Sequence, residues 1–389
     1  MEKLVYGGDG LGRVDGRVVF APFVLPGERI RARAEQQKPG LVRARMLEVL
    51  EAAPDRVTAS CPAFGRCGGC HYQHAPYEFQ LEAKLRILRE ELRRLGKIDA
   101  PEQIATVAGE PFRYRNRIQL HAEETRIGYR EARSHKLVPV NQCPVASPKI
   151  EEALAALSRM TRDGRWPRFV RALEIFTDER HVQINVLQTD RPVARRFFEW
   201  CGQEIEGVVE GALDYRGEFR VSSNSFFQVN RFLVDRLAEV AIGDASGATA
   251  LDLYAGVGLL SLPLARRFQE VTAVESGAGA VRDLWFNAER SGLKNVQGLQ
   301  QTAEDYLAGL DRAPEFVIAD PPRAGLGKAV VKRLTELLPR ELVIVACDPA
   351  TLARDLSGLV AAGYRMEKMI LVDLFPQTYH LETVVRLVR

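Results

Sequence analysis

Two side chains near the end of the 389-residue chain are of the types that covalent catalysis requires. Cys347, in "IVACDPATLARDL", closes an apolar run two residues before Pro349. Proline suits the first position of a helix because the N–H it lacks would go unpaired there. A thiol at a helix N-terminus meets the positive ends of peptide dipoles, so a lowered pKa and a nucleophilic thiolate are expected at Cys347. Glu382, in "DLFPQTYHLETV", opens the last apolar run and offers a carboxylate for proton abstraction. Together they could add sulfur to an electron-poor carbon and then remove a proton so that the sulfur leaves. A cysteine ending a buried strand is also an ordinary small core residue, so the neighbours must decide.

A second group of thiols asks for different chemistry. Cys61, Cys67 and Cys70 crowd into "CPAFGRCGGC", and Cys143 in "NQCPV" is the plausible fourth member. Cys201 has no such setting and reads as a packed residue. No apolar run resembles a signal peptide and none is long enough to span a bilayer, so a cytosolic protein without membrane contact is expected. Disulfides do not persist there, which turns clustered cysteines toward metal or catalysis. Four thiolates suit structural zinc or a cubane iron–sulfur cluster. Three close ligands and one distant Cys-Pro favour iron–sulfur over the paired short spacings of zinc sites.

The elements that must position these residues fall into three segments. Residues 1–55 are rich in short Val, Ile, Leu and Arg runs with turn signals at Asp15-Gly16 and Pro26-Gly27, which predicts a small OB-like β-barrel. Alternating Arg29, Arg31 and Arg33 would give it a basic face. Residues 56–222 hold the cysteine loop, a helix over 78–96 ending at Gly96, and mixed strands and helices of an α+β domain. That helix is free to pack on the next domain. Within "FRYRNRIQLHAEETRIGYREARSHK", arginines alternate with Tyr114 and Tyr129, a pattern suited to phosphate contact and base stacking, or to a solvated sheet face. The net charge of +3 permits nucleic-acid binding without arguing for it. Residues 223–389 change to β–α repeats, which imply an α/β, mostly parallel Rossmann-like sheet binding its ligand beyond the strand ends.

In that last segment "LDLYAGVGLLSLPLA" runs from strand through Gly256 and Gly258 into a helix, Glu275 ends the following strand, and "ADPP" places Asp320 at the end of another. This resembles the S-adenosylmethionine-dependent methyltransferase fold over residues 248–389. Amine methyltransferases follow a similar acidic-Pro-Pro motif with an aromatic; here Arg323 stands there, and the stacking ring is missing. A thiol and a carboxylate beside a methyl donor solve one particular problem. C5 of uridine is a poor nucleophile until a thiolate adds at C6, and its proton must then leave to a base.

"SFFQVN", "LDLYAGVG", "DPPRAGL", "ACDPATLARDL" and "FPQTYHLETV", in this order, resemble the RNA uracil-5 methyltransferases. The N-terminal segment looks like the TRAM domain that accompanies many of them. The resemblance implies Cys347 as nucleophile, Glu382 as base, and Gln228, Tyr254, Glu275 and Asp320 as S-adenosylmethionine contacts or part of the wall between cofactor and base. It also implies a [4Fe–4S] cluster on Cys61, Cys67, Cys70 and Cys143. The implied partner is RNA, in the ribosomal branch (23S rRNA) ahead of the tRNA branch, with no protein partner demanded. Family members often carry Ser-Cys-Asn-Pro around the nucleophile, where this chain has Ala346-Cys347-Asp348-Pro349. A non-catalytic iron–sulfur RNA-binding protein and a cytosine-5 methyltransferase are the competing expectations; the latter's cysteine motifs are absent.

Overall fold

A computed structural model describes all of residues 1–389. Its largest sheet has eight strands, in the spatial order Val296–Gln300, Phe268–Glu275, Gly247–Leu253, Phe316–Ala319, Glu341–Ala346, Glu382–Val388, Arg365–Val372 and Ala105–Val107. The first five are parallel. Their apolar runs are buried on both faces, as Phe316–Ala319 and Leu342–Val345 illustrate, because helices cover the sheet on either side. The strand order reverses next to Gly247–Leu253, which opens a crevice at the carboxyl ends of that strand and of Phe316–Ala319. The terminal strand Glu382–Val388 runs antiparallel between Glu341–Ala346 and Arg365–Val372. No helix is long and apolar enough to cross a membrane.

The eighth strand changes the domain plan. Ala105–Val107 pairs with Ile370–Val372, so the stretch after the cysteine loop returns to the catalytic sheet instead of the middle domain. The helix Tyr77–Glu91 and the π-helical turn Leu92–Gly96 pack there too, with Leu88 and Leu92 in the core shared with Leu352, Ala353 and Leu356. A contiguous 56–222 domain is thereby interrupted. The cause is that Leu88 and Leu92 on this helix bury against the catalytic unit, while Ala83 and Ile87 pack with Leu371 and Leu381 as well as with Leu4 and Tyr72. The helical stretch ends at Gly96, as its sequence predicts, and the left-handed residue that follows is Lys97 (φ 55°). Gly96 is small because a Cβ there would meet the Ala353 carbonyl oxygen at 2.8 Å.

The middle domain is a six-stranded sheet, ordered Val208–Val209, Val182–Thr189, Val170–Thr177, Arg117–Glu123, Arg126–Arg130 and Leu137–Pro139. The helices Pro148–Arg162 and Arg195–Glu204 pack on it, and Cys201 is fully buried in this core. Part of the basic-aromatic stretch is core as well, which corrects the stacking expectation. Tyr114 is fully buried with its hydroxyl donating to Pro376 O at 3.0 Å, and the Tyr129 hydroxyl is buried beside Cys143. Arg117 is buried over the Phe176 ring and pairs with Glu174 at 3.4 Å. Alternation of arginines with tyrosines does not distinguish these inward residues from outward ones, because their burial comes from distant partners such as Pro376, Phe176 and Cys143.

The N-terminal sheet has five strands, Lys3–Leu4, Asp9–Val14, Arg17–Pro22, Leu41–Glu51 and Arg29–Lys38 in that spatial order. Asp15 and Gly16 both take positive φ in the tight turn expected of them. No ladder joins the two edge strands. Closure is confined to Met1, whose amino group donates to Glu28 O (2.6 Å) and whose carbonyl accepts from Gly27 N–H (2.8 Å). Arg29–Lys38 and Leu41–Glu51 instead extend as a long arm, and nearly every residue of Arg29–Lys38 is exposed.

Candidate active site

Strand register brings the two catalytic candidates together. Ala346 is the antiparallel partner of Thr383, so one further step places Cys347 across from Glu382. Asp320 follows the neighbouring parallel strand, whose Ala319 pairs with Ile344. All three line one cavity of about 820 Å³ at the carboxyl ends of the strands. Gln228, Tyr254 and Glu275 line the same cavity, and Gln228 Nε2 donates to Asp320 Oδ2 at 3.3 Å. Every catalytic and cofactor candidate read from the sequence therefore reaches one space.

The glycine turn has a separable role for each glycine. Gly258 (φ 99°) is required by packing, since a Cβ would lie 2.5 Å from Leu262 Cδ1 and 2.6 Å from Leu284 Cδ1. Gly256 (φ 56°) faces open space and lines the cavity. Its N–H donates to Glu275 Oε2 at 3.0 Å, while Gly277 N–H donates to Oε1 at 2.6 Å. The Glu275 carboxylate is thus fixed by backbone, with lone pairs left for a ligand's hydroxyls.

The electrostatics overturn one expectation. Burial, Glu382 and Asp320 push the Cys347 thiol up to about 12, against a smaller lowering by Arg323. The dipole expectation fails because burial and the Glu382 and Asp320 carboxyls outweigh it; Asp348, which caps the following helix with Oδ1 accepting from Ala350 and Thr351 N–H at 2.9 Å each, is a third negative neighbour that also raises the thiol. Burial raises Glu382 well above the usual carboxylate range, with Asp320 raising it further, and burial raises Asp320 as well. Two neighbouring buried carboxyls resist both being ionised. Glu382 Oε1 has no hydrogen-bond partner, leaving it free to meet an incoming group.

Asp252, on the central strand, is fully buried against the Ser261 hydroxyl, and burial pushes its carboxyl up to about 7. A carboxyl whose folded pKa lies above its unfolded value of about 4 favours the fold while protonated, and that contribution is lost as pH rises from about 4 to 7. Asp252→Asn is expected to flatten this part of the stability profile. Urea unfolding at pH 5 and pH 8 checks it, with a smaller difference in the variant.

The loop 373–381 supplies site residues that sequence reasoning left unassigned. Phe375 and His380 line the cavity; burial, with Arg323 as the largest charge nearby, pushes His380 down to about 3, so it is neutral. Gln377 (φ 67°) exchanges side-chain and backbone hydrogen bonds with Gln80 at 2.9–3.0 Å, and its carbonyl accepts from His71 and Tyr72 N–H. The fully buried Lys84–Asp373 pair (2.6 Å) fixes the loop's other end. These residues sat inside the quoted "FPQTYHLETV", but only the fold shows that helix Tyr77–Glu91 is what holds them.

Cys61, Cys67, Cys70 and Cys143 line the far wall of the same cavity. Burial is the largest influence on the Cys67, Cys70 and Cys143 thiols, raising Cys143 and pushing Cys67 up to about 11 and Cys70 up to about 12, with repulsion from neighbouring cysteines adding to it. No three His, Cys, Asp or Glu side chains lie close enough to hold a single metal ion.

Comparison with known proteins agrees with this geometry. Residues 205–389 match the family model described as tRNA (Uracil-5-)-methyltransferase. An RNA methyltransferase of Aquifex aeolicus, itself uncharacterized, is 34% identical over 99% of this chain and 96% of its own length. A 23S rRNA (uracil(1939)-C(5))-methyltransferase of Halomonas elongata is 32% identical over 100% of this chain and 88% of its own. The crystal structure of Pyrococcus abyssi tRNA (uracil-54, C5)-methyltransferase, solved with S-adenosyl-L-homocysteine, superposes over 100% of this chain and 99% of that one, with a TM-score of 0.77 and 27% identity. A thiol and a carboxylate set opposite each other by strand register, in a chain related along its whole length to these enzymes, place it in the RNA uracil-5 methyltransferase family.

Proposed function

We propose that the protein transfers a methyl group from S-adenosylmethionine to C5 of a uridine in 23S ribosomal RNA. The observation that carries this reading is the register opposition of Cys347 and Glu382 beside Asp320 in one cavity. Cys347 loses its proton to solvent and adds as the thiolate to C6 of a uracil turned out of its stack, and C5 becomes the nucleophile. The cofactor supplies its methyl on a cationic sulfonium, whose charge offsets the carboxylates of the cavity. Ionised Glu382 then takes the C5 proton, and the C6–S bond breaks to return the thiolate. Gln228, Glu275 and the turn at Gly256 would hold the cofactor, with Tyr254 and Asp320 between it and the base. Gly256 facing empty cavity supports that fit. Incubation with labelled cofactor and unmodified 23S rRNA or tRNA transcripts tests the reading: 5-methyluridine in the ribosomal RNA supports it. Transfer to tRNA alone would favour the second reading, a tRNA enzyme, which the whole-chain superposition on the Pyrococcus abyssi structure keeps open. No transfer to naked or assembled RNA would leave a binding protein.

The four cavity-wall cysteines would hold a [4Fe–4S] cluster. Support comes from the convergence of all four on one cavity, three of them within ten residues of chain. Its role is structural: Cys143 adjoins the basic stretch and Cys70 adjoins His71 and Tyr72, which grip the loop at Gln377. Anaerobic purification should give about four irons and four sulfides per chain; zinc at one per chain would contradict this.

RNA would also meet the exposed arm of the N-terminal sheet. Arg29 and Arg31 pair with Glu51 and Glu48, but Arg33 lies directly opposite Arg45. Like charges so placed destabilise a hairpin unless a phosphate sits between them. Arg33→Ala with Arg45→Ala is expected to weaken RNA binding and to reduce the slope of log affinity against log salt by about 1–2. Filter binding across a salt series reads both.

A further inference from the structure

Tyr6 belongs to the N-terminal sheet domain, yet its hydroxyl donates to Asp348 Oδ2 at 3.0 Å, beside the nucleophile. The domain is seated there by Leu4, buried in one cluster with Leu371 and Leu381 of the catalytic unit, and Tyr6 packs edge-on against Tyr379 with ring centroids 5.5 Å apart. The other carboxylate oxygen of Asp348 is taken by the helix N-terminus. Tyr6 is therefore the side chain from another domain that completes the cap next to Cys347.

We propose that Tyr6 is a positioning residue that holds the Asp348 carboxylate and through it sets the reactivity of Cys347, so that seating of the N-terminal domain is read at the catalytic thiol. This rests on the catalytic role proposed for Cys347, but its premise is geometric. Asp348 follows Cys347 directly in the chain and raises its thiol, so it brings a negative charge to the nucleophile. A hydroxyl donated to that carboxylate draws part of its charge away from the sulfur. The other charged groups facing Cys347 are Glu382, Asp320 and Arg323, and those facing Tyr6 are Asp348, Tyr379 and Cys347 itself. Of these only Arg323 is cationic, and it is exposed, so Tyr6 is the donor that the structure gives to Asp348 Oδ2.

The two obvious variants should act in opposite directions, which a merely structural role would not produce. In the full-length protein without RNA, iodoacetamide alkylation of Cys347, followed by peptide mass spectrometry across a pH series, reads thiolate formation directly. Tyr6→Phe keeps the ring and is expected to move the profile up by about half a pH unit, slowing alkylation about threefold at fixed pH. Asp348→Asn keeps an oxygen for the cap and removes the charge, so alkylation should speed up by a similar factor. In the Asp348→Asn background, Tyr6→Phe should have no further effect. Equal profiles for Tyr6→Phe and the parent, with unchanged unfolding midpoints, would overturn the proposal, as would slowing by both variants. If the profiles shift as expected but no RNA is methylated, the proposed function fails and the Tyr6–Asp348 coupling stands.

Discussion

Cys347→Ala is expected to lower methyl transfer on the order of 10⁴-fold or more, with RNA affinity unchanged. The size follows from what the thiol does: without addition at C6 the uracil C5 has too little electron density to displace a methyl group, and no other group near the cavity can substitute. The remaining thiols that share the cavity, Cys61, Cys67, Cys70 and Cys143, sit on its far wall. The fold should tolerate the change, because Cys347 is only half-buried and the helix cap is made by Asp348. Single-turnover transfer and filter binding, measured on the same RNA, separate chemistry from affinity. Equal loss of both would instead mean that Cys347 is part of the binding surface.

Glu382→Gln should fail at a different step. The amide is nearly the same size and keeps a hydrogen-bonding group beside Asp320, but it cannot accept the C5 proton. Turnover is expected to fall by about 10²–10⁴-fold, while sulfur addition and methyl transfer still proceed. A methylated RNA–protein adduct would then accumulate. Removal of one member of the buried acidic pair also relieves the repulsion that raises its neighbours, so the Asp320 carboxyl and the Cys347 thiol should both titrate lower in this variant. The pH profile of adduct formation should accordingly begin at lower pH than that of turnover in the parent enzyme. An adduct that forms no faster than the parent turns over, and then decays, would remove Glu382 from the role of base.

Much of this site was legible in the sequence because the relevant residues end strands. Cys347, Glu275, Asp320 and Glu382 each follow or open an apolar run, and a parallel sheet delivers such positions to one crevice. The turn glycines were legible too, although only the packing shows that Gly258 avoids two leucines while Gly256 leaves space. Residues acting through long-range contacts were not. Gln80 meets Gln377 and Lys84 meets Asp373 across nearly 300 residues of chain, and no local pattern links them. The detour of Ala105–Val107 into the catalytic sheet was hidden for the same reason: a three-residue strand has no periodicity to read. The thiol's protonation was misjudged because a helix dipole is a local feature, whereas burial and two carboxyls from other strands arrive only with the fold.

In this mechanism Cys347 carries the uridine and Glu382 frees it. The most direct test is mass spectrometry of the Glu382→Gln protein after incubation with S-adenosylmethionine and unmodified RNA, followed by nuclease and protease digestion. A peptide bearing Cys347 plus the mass of a methylated uridine nucleotide is the expected result. Free 5-methyluridine with no modified peptide, or the nucleotide attached at another cysteine, would rule this mechanism out.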